Sequence, residues 1–128
     1  ESGAVGDLVI RRNRFVNALT SLYQFTEGVI SIYPVIPSPR TAAGYFHGGR
    51  PGAISITDNE FDQFESTLLY AKSVDGLLFR DNVIRRNADF APLRPGCRPV
   101  VLEHTRRAVV VGEGLHVPPP TPNRPLSR

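Results

Sequence analysis

Of the twelve carboxylates in the chain, four stand where chemistry on an elongated substrate could take place: Glu1, Glu27, Asp75 and Glu103, each at or beside the end of a strand-like run. Two carboxyls facing one sugar, one acting as acid and the other as base or nucleophile, are what glycoside hydrolysis demands. Most of the other acids have plainer readings. Asp58 and Asp81 each precede an asparagine in a turn, and Glu60, Asp62 and Glu65 alternate as a solvated edge does. For the first four as well, a structural or solvated role is the plainer reading.

Aromatic rings supply the other half of sugar recognition, because a pyranose presents an apolar C–H face that a ring can cover. Tyr33, Tyr45 and Phe46 bracket a proline-rich loop, and loops leaving a rigid scaffold are where binding groups tend to sit. Tyr23 and Tyr70 hold matching positions in successive repeats, which one packed column also explains. The substrate-binding candidates are therefore Glu1, Glu27, Tyr33, His47, Tyr70, Lys72, Asp75, Glu103 and His104, with no catalytic acid or base singled out. His47, His104 and His116 lack the spacings of a zinc site, so no metal is expected. No glycine-rich loop opens a helix and no Gly-x-Ser-x-Gly occurs, so no nucleotide or other cofactor is expected. The single Cys97 excludes an internal disulfide and leaves no pair for a zinc ribbon or redox motif; it reads as a packed or partly buried thiol.

The elements that must position these groups belong to one domain. With 128 residues, 41% hydrophobic and 21% charged, the chain lies in the globular range, and its 12 prolines and 11 glycines must punctuate an ordered fold. The net charge of +3 comes from arginines in short pairs, Arg11-Arg12, Arg85-Arg86 and Arg106-Arg107, with Lys72 the only lysine. Pairs beside hydrophobic runs read as solvated strand ends, and no nucleic-acid partner is expected. No run of eighteen apolar residues occurs, so no membrane span is expected. The chain starts at Glu1, contains no methionine and shows no signal peptide, which reads as a piece of a longer protein whose targeting signal lies elsewhere.

Internal similarity decides the fold. Residues 6–15 (GDLVIRRNRF), 52–61 (GAISITDNEF) and 75–84 (DGLLFRDNVI) superimpose, each a short strand running into Asn13, Asn59 or Asn82. The separations are 59 − 13 = 46 and 82 − 59 = 23, one twice the other, so a coil of 23 residues is expected, with a middle copy at Val29-Ile30-Ser31-Ile32. A second series, half a coil out of phase, runs through residues 21–25, 67–70 and 99–103, with Tyr45-Phe46-His47 in its gap, and Val109-Val110-Val111 ends the first series. Alternation puts Leu8, Ile10, Ile54, Ile56, Leu77 and Phe79 inside and Val9, Ser55 and Leu78 outside, with Phe15, Phe61 and Ile84 as another column. Asn13, Asn59 and Asn82 form a structural ladder, since asparagine tolerates left-handed backbone and can bond to its stacked neighbour. Residues 48–52 (GGRPG) connect coils. The expectation is an all-β chain: a right-handed parallel β-helix of about four to five coils over residues 1–117, then a proline-rich tail or linker over 118–128 that holds five of the prolines.

Several of these runs together resemble one family. ESGAV at 1–5, VIRRNRF at 9–15, SLYQF at 21–25, VISIYP at 29–34, LLYAKSVDGL at 68–77 and LEHT at 102–105 are similar, in that order, to glycoside hydrolase family 110, the α-1,3-galactosidases, over residues 1 to about 116. The resemblance implies an inverting hydrolase on a parallel β-helix, needing no metal or cofactor. Its substrates are glycans with terminal α-1,3-linked galactose, of the blood-group-B or linear galactose-α-1,3-galactose type. It also implies a secreted, cell-surface or periplasmic location, some or all of the catalytic aspartates in coils upstream of ESG, and a sugar-site role for Glu1. The chain alone is then expected to be inactive. Another carbohydrate-active or polysaccharide-binding β-helix, or a structural solenoid segment, shares the same ladder and short strands.

Overall fold

Short β-branched and aromatic runs, each broken within a few residues by Asn, Asp, Gly or Pro, can form only short strands, and these must find partners far along the chain. In the computed structural model, residues 3–20 and 26–125 are described. They contain nine strands and no helix: β1 (Leu8–Arg11), β2 (Arg14–Val16), β3 (Ile30–Ile32), β4 (His47–Gly48), β5 (Ile54–Thr57), β6 (Glu60–Gln63), β7 (Leu69–Arg80), β8 (Val83–Arg86) and β9 (Val100–Val110). Every strand pairing is parallel.

The registers show how the chain returns on itself. β5 lies between β1 and the last part of β7, with Leu8 opposite Ile54 and Ile54 opposite Leu77; Ala108 of β9 follows opposite Leu77. A second sheet stacks β2, β6 and β8, with Phe15 opposite Phe61 and Phe61 opposite Ile84. The start of β7 lies between β3 and β9, and its middle between β4 and β9. The chain thus makes three complete passes, and Ala108–Val110 opens a fourth level. That is fewer than the four to five coils expected.

The reason is a correction to the repeat. Leu8 and Ile54 are 46 residues apart yet are direct neighbours, so no copy lies between them. The ratio of two is a coincidence: the first pass carries 23 residues more than the second (46 − 23), in loops. Ile30–Ile32, expected as the middle copy of the first series, pairs instead with Leu69–Ala71 in the second. That displaces Tyr45-Phe46-His47 from the gap, and His47 pairs further along, with Val74. The run 21–25 lies outside the described residues.

Ile54, Ile56, Leu77, Phe79 and Phe61 are fully buried, and Leu8, Ile10 and Phe15 pack against them from the half-buried first level. Ser55 and Leu78 are more open and Val9 is exposed, as alternation requires. Phe15 stacks on Phe61 with ring centroids 4.9 Å apart.

The corners are also stacked. The Oδ1 atoms of Asn59 and Asn82 receive the main-chain N–H of the asparagine one level before: Asn13 N–H donates to Asn59 at 3.0 Å, and Asn59 N–H donates to Asn82 at 3.0 Å. The left-handed residues are the ones before them, Arg12, Asp58 and Asp81, with φ of 58°, 57° and 58°. The asparagines therefore serve by bonding, and their neighbours take the unusual backbone. Gly76 (φ 94°) cannot be replaced freely, because a Cβ there would overlap the Arg50 carbonyl oxygen. The proline-rich segment does not stand off the body: Thr121 bridges to Glu103 in parallel, accepts from the His104 main-chain N–H, and donates its own N–H to Leu102 O at 3.2 Å.

Candidate functional site

β7 is flanked by strands on both sides, so polar groups along it are shielded from water and must find partners. Two of the expected acids end up buried there. Asp75 sits on β7 opposite Arg106 of β9, and Glu103 sits on β9 opposite Lys72 of β7.

Asp75 accepts two parallel hydrogen bonds from Arg107, from Nε at 2.6 Å and from Nη2 at 2.8 Å, and a third from Arg106 Nη2 at 3.0 Å. The Arg107 and Arg106 hydrogen bonds outweigh burial and hold the carboxyl at a pKa of about 2. Arg107 reaches it from a left-handed corner (φ 51°) that stacks on the Gly76 corner.

Glu103 is 2% exposed and has four donors: Tyr70 Oη at 3.2 Å, Lys72 Nζ at 3.2 Å, the Arg124 main-chain N–H at 3.2 Å, and the Arg124 guanidinium at 3.0 and 3.1 Å. Burial alone pushes its pKa up, but the Arg124 N–H, Lys72 and the Arg124 guanidinium together bring it below the usual value. Burial and the adjacent Glu103 push the Tyr70 phenol up to about 12. Lys72 also donates to the Arg124 carbonyl at 2.9 Å, so the terminal segment is clamped onto the acid. Both carboxylates are thus held ionised by cations. A group that must donate a proton near neutral pH needs the opposite environment.

The remaining candidates divide. His47 is buried; its Nδ1 accepts the Val5 N–H at 3.1 Å, and burial lowers its pKa against a bond to the Tyr33 main chain that raises it. Tyr33 and His47 line a hollow of about 150 Å³ together with Phe46. His104 stacks on Tyr45 with centroids 4.2 Å apart, and Arg106 lies 4.2 Å over the same ring. Glu27 is partly exposed and pairs with Arg94 at 2.6 Å across a groove of about 330 Å³ whose floor includes Tyr70. The structure therefore joins Tyr70, Lys72 and Glu103 into one cluster with Glu27 at its rim, and keeps Tyr33 with His47 elsewhere. Glu1 and Tyr23 lie outside the described residues.

Sequence reading missed Arg124, Arg106, Arg107 and Arg94 as partners of these acids, because each pair joins residues 21 to 67 apart. It missed Gln63 too, fully buried, whose Oε1 accepts the Ala18 N–H at 2.9 Å and whose Nε2 donates to Ser66 at 2.9 Å. Asn17 and Asn87, which bond into the same corner, were the available signal.

Fold and site together define an all-β protein of stacked parallel strands whose buried acids are tied to cations across the stack. Sequence comparison places it more narrowly. An α-1,3-galactosidase B of Bacteroides fragilis is 61% identical over 92 residues, 72% of this chain and 16% of that protein. One of Phocaeicola vulgatus is 51% identical over 110 residues, 86% of this chain and 19% of that protein. An α-1,3-galactosidase A of B. fragilis is 35% identical over 117 residues, 88% of this chain and 18% of that protein. The chain matches a fragment of an α-1,3-galactosidase of glycoside hydrolase family 110. It spans less than one fifth of the length of these curated relatives. No family model matches the chain. No solved structure matches it.

Proposed function

We propose that this chain is part of the right-handed parallel β-helix of an inverting α-1,3-galactosidase, which releases terminal α-1,3-linked galactose from blood-group-B or linear galactose-α-1,3-galactose glycans. The 61% identity to a protein of that name carries the proposal. Parallel levels that return every 23 residues, or 23 plus a loop, support a β-helix, and parallel crossovers in one sheet are right-handed almost without exception. Glycans of this kind are displayed outside cells, which favours a secreted, surface or periplasmic enzyme.

Within such an enzyme the residues described here serve as framework and as glycan contacts. Inversion calls for two carboxyls about 6.5–9.5 Å apart, one of them protonated at the start of the reaction. Asp75 and Glu103 are each committed to cations, which supports placing the acid and base elsewhere in the longer protein. Galactose release from galactose-α-1,3-galactose, compared between this chain and the protein extended upstream, tests the reading. Release by the extended protein and none by the folded chain is expected. Failure of the extended protein to release galactose would refute the activity, and turnover by the chain alone would refute the framework role.

A further inference from the structure

Between β8 and β9 the third pass is longer than the second. From β6 to β7, Glu60 to Leu69 is nine residues, whereas their register partners Val83 and Val100 are 17 apart. The extra chain, from Arg94 to Arg98, lines an open groove of about 330 Å³ together with Tyr70 and Val101. That volume lies at the small end of the roughly 300–1,000 Å³ typical of small-molecule sites.

We infer that this groove binds an anionic sugar residue, one bearing a sulfate ester or a carboxylate, with Arg98 as its principal contact. Arg94, Arg98 and Arg124 line the groove against one acid, Glu27. Below its floor, Lys72 and Arg124 share Glu103, so four cations meet two carboxylates in all. Arg98 has no hydrogen-bond or ion-pair partner among the described residues, and its planar fork suits two parallel bonds to a sulfate or carboxylate. Among the described residues the Arg94 side chain is held by Glu27 alone, and with side chains 45% and 42% exposed that pair is solvated and weak enough to open.

The rest of the lining suits a ring rather than a bare ion. Val101 and Pro95 offer apolar surface for C–H faces, and Gly96 adds open backbone. Arg98 and Val101 also line an adjoining hollow of about 250 Å³ with Pro118, Pro119 and Thr121, where a neighbouring sugar fits. The inference rests on the glycan reading above, but it concerns binding and not bond cleavage.

Titration of the chain with galactose 6-sulfate, galacturonate, galactose and inorganic sulfate at constant ionic strength, followed by NMR of the residue 94–98 amides and the arginine Nε–H groups, tests it. Saturable shifts are expected with at least one acidic sugar, with galactose and inorganic sulfate roughly tenfold weaker. The two acidic sugars separate the ester from the carboxylate. Arg98→Gln should weaken the acidic sugar by a similar factor, whereas Arg80→Gln, outside the groove, should not. Equal binding of galactose, equal binding of inorganic sulfate, no saturation by either acidic sugar, or unchanged binding by Arg98→Gln would each overturn the inference. None of these outcomes bears on galactose release by the extended protein.

Discussion

Replacing Asn59 by alanine tests the corner ladder most directly. A generic asparagine ladder would lose one net hydrogen bond, about 1 kcal/mol. The structure raises the expectation. Asn59 is 2% exposed, and its side chain accepts from the Asn13 main-chain N–H (3.0 Å) and Nδ2 (3.1 Å) while donating to Ile10 O (3.0 Å) and Asn82 Oδ1 (3.0 Å). Truncation breaks all four bonds and strands a main-chain donor at Asn13. Unpaired groups cost about 1–3 kcal/mol each when buried, less where water reaches them from the half-open first level, so the expected loss is about 3 kcal/mol. Asn13→Ala is the internal comparison: its side chain makes only two bonds, to Arg11 O and Asn59, and is exposed, so about 1 kcal/mol is expected. Urea titration of the three proteins, followed by far-ultraviolet circular dichroism with a common slope, measures both. A loss below about 1 kcal/mol for Asn59→Ala, or equal losses at the two positions, would refute stacking as the source of stability.

Gly76→Ala should destabilise by about 3 kcal/mol or abolish folding, because φ is 94° and Arg50 O occupies the Cβ position; Gly52→Ala (φ 70°, nothing within 4 Å) should cost about 1 kcal/mol, and thermal unfolding compares them. Ile56→Ala, fully buried opposite Phe79, should cost about 2–5 kcal/mol, while Ser55→Ala should stay within about 0.5 kcal/mol; equal midpoints in denaturant would contradict the inward register. Asp75, held at about 2 against an ordinary 3.8, contributes stability that is present above pH 4 and lost as pH falls toward 2. Asp75→Asn should therefore flatten the stability–pH curve in that window, and an unchanged acid limb would show that the arginine clamp contributes nothing.

Alternation in 8–11, 54–57 and 77–80 already named the buried residues, because side chains on a strand change face at every step and only one face of each run is apolar throughout. The 23-residue spacing of Asn59 and Asn82 likewise carried the true register of the one pass free of long loops. The family was legible as well, through the order of several motifs. Periodicity could not reveal how many residues a pass holds when loops interrupt it. The first pass has 23 extra residues and the third has eight (31 − 23), and nothing local distinguishes an inserted loop from a further coil. Register across such loops is decided by which apolar columns fill, so only the tertiary structure could pair Ile30–Ile32 with Leu69–Ala71. The acids follow the same logic. Asp75 and Glu103 stood out in the sequence as strand-end carboxylates, but whether such a group is free to exchange protons depends on cations delivered from the next level and from the docked 121–125 segment. Those cations are placed by long-range register, which a linear reading does not contain.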